Sequence, residues 1–169
     1  QPSYSYHGYS ATDLYRIDPR FGSNDDYRRF VVAARAKGLG VIQDVVPNHI
    51  GSGHWWMRDL PTPDWVTNGA RFVPTHHNRN AVTDPYAAQA DRIDFTGGWF
   101  APTMPDMNHA NPLVATYSTQ NTVWWIESAG LSGLRVDTFG YSNAAFLAAW
   151  TQRILDEYPQ FSLVGEEWT

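Results

Sequence analysis

The chain has 169 residues, enough for one domain with a real core, and a formal net charge of −5 with no basic run. Nucleic acid and anionic membrane surfaces are therefore excluded as expected partners. There is no cysteine, which excludes disulfides and thiolate metal sites and leaves the redox compartment open.

No apolar run approaches the roughly 20 residues of a transmembrane helix. Gln1-Pro2-Ser3-Tyr4 is polar from the start, so no signal peptide is expected. Without an initiator Met the chain is expected to begin inside a longer protein. Aromatic residues make up 15 %, with 8 Trp and 9 Tyr, many of them in polar stretches. Composition alone favours core packing with ordinary surface exposure over a site that stacks sugar rings.

Residues 1–22 read as a loop. Tyr4, Tyr6, His7, Gly8 and Tyr9 cluster in it, followed by Asp13 and Tyr15. Such a loop either packs down as a lid or lines a site. A helix is predicted from Ser23 to Lys37. Ser23 and Asp26 make a capping box, Tyr27, Phe30, Val31 and Ala34 an apolar stripe, and Gly38 a stop. Residues 39–46 are nearly all apolar, as expected for a strand buried on both faces.

Residues 47–110 show no lasting periodicity. A structureless loop of that length is improbable, so an inserted subdomain is expected. Asn111-Pro112 opens a second helix to about Ser128, stopped by Gly130. A strand follows over 133–137. A third helix runs from about Asn143 to Tyr158, with Phe146, Leu147, Trp150, Ile154 and Leu155 in register, and a last strand covers 161–165.

This helix–strand alternation predicts an α/β fold with a parallel sheet. Both a doubly wound sheet and a (β/α)8 barrel fit. No Gly-rich phosphate fingerprint follows a strand, which argues against nucleotide binding. Three strands cannot close a barrel of eight, so a barrel reading makes the chain a piece of one.

Three predicted strands end on an acid: Asp44, Asp137 and Glu166. Parallel α/β folds place their sites at strand C-termini. Arg135 stands two residues before Asp137, on the same face of a strand. Taken alone, that pair reads more readily as a structural ion pair than as chemistry. His49 alone reads as a satisfied core histidine. His76-His77 lacks a third ligand at metal spacing and reads as loop. Trp55-Trp56 and Trp124-Trp125 read as packing rather than sugar platforms.

Five ordered motifs shift that balance. Asp44-Val45-Val46-Pro47-Asn48-His49, Gly133-Leu134-Arg135-Val136-Asp137 and Val164-Gly165-Glu166-Glu167-Trp168 resemble the first three conserved regions of the α-amylase family, glycoside hydrolase family 13. Met104-Pro105-Asp106-Met107-Asn108 resembles the motif near the end of its domain B. His7-Gly8-Tyr9, with Asp13 and Tyr15, resembles its loop after strand 2. Tyr-His-Gly-Tyr at 6–9, Met-Pro-Asp-Met-Asn and Gly-Glu-Glu-Trp look most like neopullulanase and cyclomaltodextrinase-type maltodextrin hydrolases.

The resemblance implies part of a TIM barrel, about strand 3 to strand 5. Residues 1–46 and 111–169 would be barrel and residues 47–110 domain B. It implies retaining hydrolysis of α-1,4 or also α-1,6 glucosidic bonds in maltodextrins, cyclodextrins or pullulan. Asp137 would be the nucleophile, its pKa lowered by Arg135. Glu166 would be the general acid/base with a pKa raised toward neutrality. Glu167 is the adjacent alternative, but the family's Gly-Glu-x-Trp spacing selects Glu166.

Tyr9 would stack on the sugar, Asp44 and His49 would bind hydroxyls or brace the site, and Asn48 and Asp106 would ligate structural Ca2+. The partner implied is an α-glucan, with the rest of the barrel or a second copy covering the open edges. A periplasmic or secreted setting is favoured over a cytoplasmic one.

Three departures stand beside the match. The third catalytic Asp and its His-Asp motif lie outside this sequence, so the segment alone is expected to be inactive. Tyr141 stands four residues after Asp137, where many relatives have His. A non-catalytic sugar-binding relative, or a member acting on sucrose, trehalose or α-1,6-glucosides, stays open as the alternative.

Overall fold

The computed structural model describes residues 5–167. Tyr4 of the aromatic cluster and Trp168 of the last motif lie outside the described residues. Three parallel strands form one sheet in the order β1 (Ile42–Val45), β2 (Gly133–Val136) and β3 (Ser162–Gly165). Five helices accompany them: α1 (Asn24–Arg35), α2 (Asn80–Thr83), α3 (Gln89–Thr96), α4 (Pro112–Ala129) and α5 (Ala144–Glu157).

Local sequence sets the helix ends. Ser23 caps α1 in a capping box with Asp26. Asn111 caps α4 with Pro112 in the first turn, and Gly130 ends it in the left-handed region at φ 72°. Asn143 caps α5 by accepting from the Phe146 N–H. The Arg35 guanidinium crosses from α1 to donate to the Gly130 carbonyl beyond the end of α4.

Helices α1, α4 and α5 cover one face of the sheet. Leu134 and Val136 of β2 point into that layer and meet Trp125, Phe146, Leu147, Trp150 and Ile154. Burying each such side chain stabilises the fold by about 1.5–3 kcal/mol. Indole N–H groups find partners there: Trp150 donates to Thr122 Oγ1 at 3.1 Å, and Trp125 donates to the Leu14 carbonyl at 2.8 Å. The second bond ties the N-terminal loop to α4.

Residues 47–110 carry short helices and isolated bridges rather than a sheet. Their own core gathers Ile50, Trp56, Trp65, Val66, Trp99 and Met107, joined by Val114 of α4. Of the two Trp pairs, Trp56 and Trp125 are buried while Trp55 is 60 % exposed.

Several expectations need correction. The strand over 39–46 is shorter and is not buried on both faces. Ile42 is 52 % exposed and Leu39 61 %, because β1 is an edge strand with no neighbour on its far side among the described residues. Asp44 is not the end of that strand, since Val45 still pairs with Val136. Phe30 leaves the stripe of α1 for the surface, where it stacks on Tyr27. Leu155 is on the exposed flank of α5.

Candidate active site

The face of the sheet away from the helices carries the charged residues, and strand register puts them there. Asp44 and Arg135 are Cα partners across β1 and β2, so their side chains stand side by side. The period of 2 puts Asp137 on the face of Arg135. One step beyond the last pair of β2 and β3, the Glu166 N–H donates to the Val136 carbonyl at 2.8 Å, as the Asp137 N–H does to Val45 at 2.9 Å. Asp44, Arg135, Asp137 and Glu166 therefore converge at the C-terminal rim.

One guanidinium holds the three acids. Arg135 Nη1 lies 2.9 Å from Asp44 Oδ1 and 2.7 Å from Asp137 Oδ1, and Nη2 lies 2.9 Å from Glu166 Oε1. The other oxygen, Glu166 Oε2, accepts from the Thr138 N–H at 2.9 Å. Thr138 makes this turn at φ 46°, a left-handed conformation costly for a β-branched residue.

The electrostatics overturn one expectation. Burial pushes the Asp137 carboxyl up to about 6; the Arg135 hydrogen bond works against that rise, and the Glu166 charge adds to it. Arg135 does not win, because the carboxyl is 6 % exposed and desolvation of its charge is the larger effect. For Arg135 itself burial disfavours the charge, but its bonds to Asp44 and Asp137 carry its pKa upward.

Tyr9 arrives from the N-terminal loop. Its hydroxyl donates to Asp44 Oδ2 at 3.1 Å, and Arg135 Cζ lies 5.8 Å from its ring centre. His7 stacks on the Tyr9 ring at 5.6 Å, and its Nδ1 accepts the Tyr9 N–H. One face of Tyr9 is thus covered within the chain.

His49 is buried, stacked on Phe100 at 5.9 Å, and its Nε2 has no aligned hydrogen-bond partner. Burial pulls its pKa down to about 4. A hydrogen bond with the Tyr9 backbone works against that fall, and Nδ1 lies 3.3 Å from Asn48 Nδ2. A cleft of about 460 Å3 runs along the open edge of β1 past Asp44 and His49. It does not reach Arg135, Asp137 or Glu166.

The family model "Alpha amylase, catalytic domain" matches residues 1–168. The chain belongs to the α-amylase family. Over 170 residues it is 31 % identical to the intracellular maltogenic amylase of Bacillus subtilis, covering 97 % of this chain and 26 % of that protein. It is 29 % identical to the cyclomaltodextrinase of Geobacillus thermopakistaniensis, covering 97 % of this chain and 27 % of that one. The crystal structure of the Geobacillus thermoleovorans α-amylase complexed with acarbose superposes with a TM-score of 0.81 at 29 % identity, over 98 % of this chain and 34 % of its own. The α/β fold is that of part of an α-amylase barrel. The chain spans about a quarter to a third of the length of these relatives.

Asn48 and Asp106, the α-amylase-family positions expected to hold Ca2+, are both buried. Residue 49 bridges residue 106, and the Met107 N–H donates to the Asn48 carbonyl. Asn48 Oδ1 already accepts from Ser142 Oγ at 3.1 Å. Burial pushes the Asp106 carboxyl well up, against a hydrogen bond with Thr67. Calcium takes 6–8 oxygens. Among the described residues no group of three or more His, Asp or Glu side chains gathers that could hold a metal ion. The side-chain oxygens of Asn48 and Asp106 by themselves fall short of that number.

Three features of this α-amylase-family site escape sequence reasoning. Thr138 supplies a backbone donor, which no residue type announces. Ser142 reaches Asn48 across 94 positions. Arg79 pairs with Glu167 across 88.

Proposed function

We propose that the protein carrying this chain is a retaining α-glucan hydrolase. It cleaves α-1,4, or α-1,4 and α-1,6, glucosidic bonds in maltodextrins, cyclodextrins or pullulan. The observation that carries this reading is the convergence of Asp137 and Glu166 on one guanidinium at the strand ends. Two carboxylates flanking the bond are what double displacement needs. Asp137 attacks the anomeric carbon and Glu166 gives its proton to the leaving oxygen. Glu166 then takes a proton from the water that opens the glycosyl-enzyme. Asp44 and Arg135 fix the nucleophile, and Tyr9 and His49 meet the sugar.

Residues 47–110 serve as domain B in this reading. The substrate class rests on kinship to a maltogenic amylase and a cyclomaltodextrinase. The test is reducing-end release from maltoheptaose by the longest natural protein that carries this segment, with Asp137→Asn beside it. Release by the parent and none by the variant is expected. No release by the parent, with maltoheptaose still bound, would instead make the protein a sugar-binding relative. The isolated 169-residue segment is expected to be inactive, and release from it would overturn that expectation.

A further inference from the structure

Two consecutive glutamates close β3, and only Glu166 faces Arg135. A second free carboxylate beside it would add charge to a site that already holds three acids on one arginine. The structure deals with Glu167 separately. Its Oε2 is ion-paired with Arg79, which stands at the start of α2 in the 47–110 insertion and is only 20 % exposed. Its Oε1 lies over Gly140, where an added Cβ would come within 2.7 Å of it. Gly140 thus leaves the room that the carboxylate fills. The neighbouring Tyr141 hydroxyl bonds His77 Nδ1 at 3.1 Å, and Tyr141 feels the charges of Arg79, Glu166 and Glu167. The insertion, the turn after Asp137 and the end of β3 therefore meet at this one pair.

We propose that Arg79 and Glu167 form a positioning pair that clamps the insertion to the end of β3 and balances the charge behind Glu166. Neither residue touches the reacting atoms. The inference rests on the hydrolase reading, with Glu166 as general acid. Among the described residues, the groups around Glu166 include Arg135, Asp137 and the Thr138 N–H from β2 and its turn, Asp44 across Arg135, and Arg79, Glu167 and Tyr141 behind it, with His77 bonded to Tyr141. The Arg79–Glu167 pair can change charge without altering Arg135, Asp137 or Glu166.

The test is the alkaline limb of the kcat/KM profile, which reports loss of the proton from the general acid. It uses the longest natural protein carrying this segment. Arg79→Ala removes a positive charge and should move the limb up by about half a pH unit. Glu167→Gln keeps the shape, removes a negative charge and should move it down by a similar amount. The double variant should return toward the parent. Arg79→Lys should stay near the parent. A structural pair would alter melting temperature without opposite shifts of the limb. Coincident limbs in folded Arg79→Ala and Glu167→Gln proteins would overturn the clamp alone. A parent with no hydrolysis would overturn the hydrolase reading, and the clamp with it. Should Arg79→Ala not fold, the downward shift in Glu167→Gln decides by itself.

Discussion

Arg135 and Asp44 stand opposite each other on adjacent parallel strands, 91 positions apart in sequence, with one guanidinium nitrogen serving both carboxylate oxygens at 2.9 and 3.0 Å. The same nitrogen also reaches Asp137. A lysine offers a point charge and cannot hold three carboxylates in one plane. Arg135→Lys is therefore expected to lower kcat/KM by about 100-fold or more in the full-length protein. Asp44→Asn should cost less, because Asp137 and Glu166 keep their arginine. Equal losses in the two variants would contradict this ranking.

The raised Asp137 pKa gives a pH dependence with a definite sign. The nucleophile must be ionised. With its pKa near 6, kcat/KM should fall as pH drops through about 6, well above the range of an ordinary carboxylate. A plateau continuing down to pH 4.5 would show that Arg135 outweighs burial after all. Asp137→Asn should remove at least ~1000-fold of the activity at every pH.

Thr138 holds φ 46° and donates its N–H to Glu166. Glycine accepts that backbone conformation without a Cβ and keeps the N–H. Thr138→Gly is expected to leave Glu166 in place and to stabilise the protein by up to about 1 kcal/mol in urea unfolding. Thr138→Pro removes the donor and should cut turnover. A Gly variant less stable than the parent would mean the threonine packing outweighs the strain.

His109 is buried, stacked on Phe146 at 3.8 Å and bonded to Ser118 Oγ at 3.2 Å. Burial pulls its pKa down to about 4. The unfolded chain, near 6.5, takes up the proton first. Stability from this group is whole above pH 6.5 and is lost as pH falls toward 4, by up to ~3 kcal/mol. His109→Phe keeps the stack and loses about 1 kcal/mol at pH 7 with the Ser118 bond. Its melting temperature should then fall less than the parent's between pH 7 and pH 5. Parallel falls would place the acid sensitivity elsewhere.

Asn48 and Asp106 offer three side-chain oxygens between them, fewer than the roughly 6–8 that calcium takes. Chelating divalent ions is expected to leave the melting temperature of the full-length protein unchanged. A drop of several degrees, reversed by calcium, would show that ligands from outside this segment complete a site.

Sequence by itself determined the elements whose signals are local. Ser23 with Asp26, Asn111 with Pro112, Gly130 and Asn143 mark helix ends through bonds made within a few residues. The order of helix and strand then implied a parallel sheet, and the motifs placed three acids at its rim. Tertiary structure alone decided what those acids feel. Arg135 and Asp137 are two positions apart, so their ion pair was legible. The burial that outweighs it is set by the three-dimensional surroundings of the carboxyl, not by its spacing from Arg135. The Asn48–Ser142 and Arg79–Glu167 contacts join segments 94 and 88 positions apart, over which no periodicity or propensity operates. The exposure of β1 is likewise a property of its neighbours, since the apolar run at 39–46 would read the same at an edge or in the middle of a sheet.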